Sequence, residues 1–114
     1  MRTLRFIVDD QIIKQDPTCS FANLVPGTDG YLQAYFSISA AWEGCVKVAA
    51  FYTMLGRECP PQMLKDGCTC LIPAEALKKQ SFKIRIFGIR NNYDKTTYKI
   101  NTNEVIVTQD GGTR

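Results

Sequence analysis

Five cysteines and no histidine bound the chemistry open to this chain of 114 residues. Cys19, Cys45, Cys59, Cys68 and Cys70 act as nucleophiles or zinc ligands only as thiolates. The imidazole that most often serves as general base, metal ligand or triad member is missing. A cysteine nucleophile would need another base, and no pair of carboxylates falls in a catalytic pattern. The chain therefore reads as non-enzymatic. Cys68 and Cys70, two apart on an expected strand, would share a face and could hold zinc together with Cys45 and Cys59. Structural zinc sites bring paired Cys-x(2–4)-Cys knuckles, which this sequence lacks. The thiols are expected to be free, to fill the core as small hydrophobes and to bind no metal or other cofactor.

A second kind of chemistry is electrostatic. Residues 1–56 carry four basic and five acidic side chains, whereas residues 57–114 carry ten and six, so the net charge of +3 sits in the second half. Between Lys78 and Lys99 lie seven basic residues and one acid, Asp94, with Phe87, Tyr93 and Tyr98 among them. Basic and aromatic side chains interleaved in this way suit single-stranded nucleic acid, through phosphate attraction and base stacking. The same residues also fit the solvated face of an edge strand that lysine protects from aggregation. Trp42, the sole tryptophan, could join Tyr31 and Tyr35 in a flat platform for a sugar, or cover one end of a core. The residues selected as a candidate interaction surface are Trp42, Lys83, Arg85, Phe87, Arg90, Tyr93, Lys95 and Lys99.

Strands must position these groups, because apolar residues recur with a period of two. In Tyr31–Ser39, Leu32, Ala34, Phe36 and Ile38 point one way while Gln33, Tyr35 and Ser37 point the other. Residues 2–8 alternate likewise around Leu4, Phe6 and Val8. Residues 45–54 are apolar on both faces, which suits a central strand. Phe82, Ile84 and Ile86 alternate with Lys83, Arg85 and Phe87. Asp-Gly at 66–67 marks a hairpin returning through residues 68–72, and residues 91–95 form the loop into a last strand ending in Val105–Thr108. Phe21 to Val25 is a short strand or an irregular edge. Ala40–Gly44 reads as one helical turn closed by glycine, and Pro73–Lys78 as a helix of one to two turns. The expectation is an all-β, immunoglobulin-like antiparallel sandwich of seven to nine strands with one short helix. It forms a single domain over residues 1–109 with a flexible tail at 110–114. Asp9 and Asp10 interrupt the opening apolar run before a signal peptide could form, and no stretch approaches the roughly 20 apolar residues that span a bilayer. The expected product is a soluble protein made in the cytoplasm, with reduced thiols.

Three stretches carry a family resemblance: Arg2-Thr3-Leu4-Arg5-Phe6; Leu24-Val25-Pro26-Gly27 through Tyr31–Ile38 to Trp42-Glu43-Gly44-Cys45; and Ile72–Leu77 followed by Phe82-Lys83-Ile84 and Thr102–Val105. Together they span most of residues 2–108 and resemble the small immunoglobulin-like sandwich proteins found among tail and baseplate components of phages and prophages of Gram-positive bacteria. They resemble more loosely the N-terminal sandwich domain of baseplate upper proteins. The resemblance implies a non-enzymatic virion component of a bacterial host, joined to other phage structural proteins and to copies of itself through strand edges and loops. Two other functions stay open: a phage-encoded regulator or inhibitor acting inside the host on a protein, small ligand or nucleic acid, and a carbohydrate-binding module.

Overall fold

The two-residue period sorts the side chains into an interior and two outer faces. The computed structural model describes residues 1–111. β1 (Arg2–Asp9) and β3 (Leu32–Ile38) turn Leu4, Phe6, Val8, Leu32, Ala34 and Phe36 inward. β2 (Ile12–Gln15) and β6 (Thr69–Leu71) flank them in the order β2-β1-β3-β6. The opposite sheet has β4 (Val46–Thr53) between the short β5 (Gln62–Met63) and β7 (Ser81–Asn91). β8 (Thr97–Asn101) and β9 (Val105–Thr108) both pair with the far side of β7. Ala49, Phe51, Phe82, Ile84, Ile86, Ile100 and Val107 meet the first sheet's side chains, completing an all-β sandwich. At its centre Phe6 stacks on Phe36 with ring centroids 5.3 Å apart and takes the edge of Phe21 at 5.4 Å.

Several elements differ from the sequence-based expectation. The β1–β3 ladder is parallel, from Arg2↔Leu32 to Val8↔Ile38, within sheets that are otherwise antiparallel. A parallel neighbour requires a long connection. β2 and the segment between it and β3 provide that length, and the segment carries Phe21 and Leu24 into the core without forming a strand. The expected helix at 73–78 is a single 3-10 turn, Ala74–Leu77, because four residues entered from an extended Pro73 without a side-chain cap cannot propagate an α-helix. The hairpin return begins at Thr69. Cys68 lies in the turn, with its N–H donating to the Lys65 carbonyl at 3.0 Å, so it does not share a strand face with the buried Cys70.

The expected last strand is two, separated by a bulge. Arg85 and Ile86 on β7 oppose Thr102, Asn103 and Glu104, since the register passes from Phe87↔Asn101 to Ile84↔Val105. Thr102 makes this possible: its N–H donates to the Ile86 carbonyl, and its hydroxyl accepts the Ile86 N–H at 3.0 Å. β7 is accordingly central rather than an edge strand. At the C-terminus Asp110 and Gly111 are held, the Asp110 carboxylate accepting the Asn23 N–H and the Gly111 N–H donating to Leu24. The rest of the expected tail, 112–114, lies outside the described residues.

Part of the strand edges through which association is expected is occupied. Where β2 faces β8 and β9, the Ile13 N–H donates to Asn103 Oδ1, the Asn103 N–H to the Gln11 carbonyl, and Gln15 Nε2 to the Ile106 carbonyl. On the opposite side, the chain between β5 and β6 crosses from one sheet to the other through the Lys65↔Thr69 bridge.

Candidate functional site

Both outer faces carry polar and apolar side chains, and on the second the apolar ones form a contiguous column. Outside the first sheet stand Thr3, Arg5, Lys14, Gln33, Tyr35 and Ser37, with Ile7 and the exposed Ile12 and Leu71 set among them and the Arg5 guanidinium 4.9 Å over the Tyr35 ring. Outside the second sheet, register places Ile89 between Val46 and Lys99, Val48 between Met63 and Phe87, Ala50 beside Arg85, and Tyr52 beside Lys83. Val46 is 52 % exposed and Ile89 44 %, and no element covers them among the described residues. A shallow hollow of about 290 Å³ lies on this face, bordered by Val48, Tyr52, Cys59, Pro61 and Phe87.

Seven of the eight residues selected from the sequence divide into three groups. Lys83, Arg85, Phe87 and Lys99 share the outward face: the Arg85 guanidinium sits 5.0 Å over the Phe87 ring, and Lys83 pairs with Glu104 at 3.6 Å. Tyr93 and Lys95 occupy the tip of the β7–β8 hairpin, with Tyr93 fully exposed. That tip is rigidly bonded, since the Asp94 carboxylate accepts both the hydroxyl (2.6 Å) and the N–H (3.1 Å) of Thr96. These bonds hold the Asp94 pKa below the usual carboxylate value. Arg90 is turned inward, its guanidinium 4.0 Å over Tyr98 and donating to the Glu43 carbonyl.

Trp42 is a correction. It is 0 % exposed and belongs to no surface. Its indole N–H donates to the Asp10 carbonyl at 2.8 Å, and its ring lies over Gly88, where a Cβ would come within 2.7 Å of the indole. A lone tryptophan fits a plug as well as a platform, and Gly88 on the facing strand, leaving room for the ring, is the sequence signal for the plug. The sequence also missed Val46, Val48, Tyr52 and Ile89 as surface residues, since an apolar residue on both faces of a strand looks buried until the covering layer is known to be absent.

All five cysteines carry free thiols. Burial pushes the Cys70 thiol up to about 12, and burial together with the nearby Glu75 carboxylate raises that of Cys59. Alkylation of the native protein at pH 8, followed by mass spectrometry, is expected to modify the half-exposed Cys19 and Cys68 well before Cys70. Equal rates would show that the β6 edge opens freely.

No family model, curated protein or solved structure matches this chain.

Proposed function

We propose that this chain is a non-enzymatic protein-association module that docks the outward face of the β4–β7 sheet onto a partly apolar, acidic protein surface. In the setting its sequence resemblance implies, that partner is another tail or baseplate component of a phage particle. The supporting observation is the contiguous apolar column Val46, Val48, Tyr52, Phe87 and Ile89, which no element covers among the described residues. Contiguous exposed apolar surface rimmed by polar groups marks association sites. Arg85 and Lys99 beside the column favour carboxylates on the partner and set its orientation and rate of encounter more than its final affinity, while Lys83 already pairs with Glu104 and Glu58 borders the hollow. The cations also disfavour face-to-face pairing of two copies, which would bring like charges together. Single-stranded nucleic acid would use the same lysines, but the Arg85 guanidinium already covers one face of the Phe87 ring on this sheet face, and the fully exposed Tyr93 stands apart at the hairpin tip.

The test is particle composition. Density-purified particles from a producing strain are expected to contain the wild-type chain and to lose about tenfold or more of it when Val48→Glu and Phe87→Glu are combined, with thermal stability retained. Undiminished incorporation of the double variant, or a chain found only outside particles, would overturn the proposal.

A further inference from the structure

At the opposite end of β4 from the Trp42 plug, the chain reverses through Thr53, Met54, Leu55, Gly56 and Arg57. The Gly56 N–H donates to the Thr53 carbonyl and the Thr53 N–H to the Arg57 carbonyl, both at 2.9 Å. The Thr53 hydroxyl accepts the Arg57 N–H at 3.1 Å. Only one position is dictated by backbone conformation: Gly56 has φ +88°, a region that side chains rarely enter. Positions 54 and 55 accept, and in turns commonly carry, small polar residues. Here they are Met54 and Leu55, and Leu55 is 99 % exposed. Folding does not account for their apolarity.

Behind this turn is a concave cleft of about 890 Å³, with Met54, Leu55 and Arg57 on one wall and Lys79 and Gln80 on the other. The second wall is braced from the interior. Gln109 is fully buried, its Nε2 donates to the carbonyls of Leu77 and Lys79, and its N–H donates to that of Gln80. Arg57 and Lys79 are the ionisable groups lining the cleft, and both are basic. A preformed, partly apolar hollow with positive walls suits an extended chain carrying an apolar side chain next to carboxylates. Two copies meeting here would oppose Arg57 and Lys79 with themselves.

We infer that this cleft is a second binding site, separate from the sheet face, for an acidic segment of another protein whose apolar side chain lies against Leu55 and whose carboxylates face Arg57 and Lys79. Selection of a random 12-residue display library on the full chain tests this. Enriched peptides should carry Asp or Glu beside a large apolar residue. Leu55→Ser, and separately Arg57→Glu with Lys79→Glu, should each weaken a synthesised winner by about tenfold or more without shifting the melting temperature. Phe87→Glu should leave its affinity unchanged, so this site and the sheet face succeed or fail separately. Absence of such peptides, affinity indifferent to both tip variants, Leu55-dependent binding to phosphatidylglycerol vesicles in place of peptide, or Leu55-dependent self-association would each overturn the assignment.

Discussion

Replacing Trp42 with alanine is expected to destabilise the fold by about 3–5 kcal/mol, the range for emptying a buried aromatic site. Three connections meet at this ring. The 3-10 turn Ala40–Trp42 joins β3 of one sheet to β4 of the other, the indole N–H reaches Asp10 in the β1–β2 turn, and the ring covers Gly88 on β7. Tyr98 reinforces the same end by donating its hydroxyl to the Ala41 carbonyl at 2.9 Å. The loss combines a cavity, an unpaired Asp10 carbonyl and a loosened crossover between sheets. Gly88→Ala attacks the same contact from the other side. A Cβ there would lie 2.7 and 2.8 Å from two indole carbons and 3.2 Å from Ile100, an overpacking that costs roughly 1–3 kcal/mol. In the Trp42→Ala background most of that second penalty should vanish, because the atoms it strikes are gone. Chemical denaturation of the two single variants and the double variant measures both effects. A Trp42→Ala loss below about 1 kcal/mol, or strictly additive penalties, would contradict the plug.

The second large effect separates interior from docking face. Phe36→Ala should cost about 3–5 kcal/mol, because Phe36 is buried against Phe6 on the register that also turns Leu32 and Ala34 inward. Phe87→Ala, of the same chemistry, should cost about 1 kcal/mol or less, since its ring lies on the outer face under Arg85. Urea midpoints at unchanged slope decide the comparison. Equal losses would mean that Phe87 is core and that the sheet face is not a free surface.

Much of this architecture was legible in the residues because the strand period reports local alternation directly. Leu4, Phe6 and Val8, then Leu32, Ala34 and Phe36, then Phe82, Ile84 and Ile86, all point inward as their spacing requires. What escaped depends on partners distant in sequence. The parallel β1–β3 pairing follows from where the 16–31 connection lies, and neither strand's own pattern distinguishes a parallel from an antiparallel neighbour. The bulge at Thr102–Glu104 depends on a threonine hydroxyl standing in for a backbone carbonyl, which no alternation count detects. Of the candidate site, Lys83, Arg85, Phe87 and Lys99 were recognisable because basic and aromatic residues alternate with core residues on one strand and recur on its neighbour. Trp42 covers the end of the core, one of the two roles its amphipathic ring allows, and the close approach of Gly88 opposite takes it out of the interaction surface. The two-sided apolar pattern of residues 45–54 pointed to a buried central strand. β4 is central in its sheet, yet no element covers its outer face among the described residues, and this mismatch between pattern and burial is the strongest pointer to association.

The most direct measurement is site-specific photo-crosslinking in producing cells, with benzoylphenylalanine placed at position 87 in the apolar column or at position 35 on the outer face of the other sheet, beside Arg5. A discrete crosslinked protein band from position 87, absent from position 35 and lost on adding Val48→Glu, is the expected result. Equal crosslinking from both positions, or none from position 87 in cells where the folded chain accumulates, would contradict docking through the β4–β7 face.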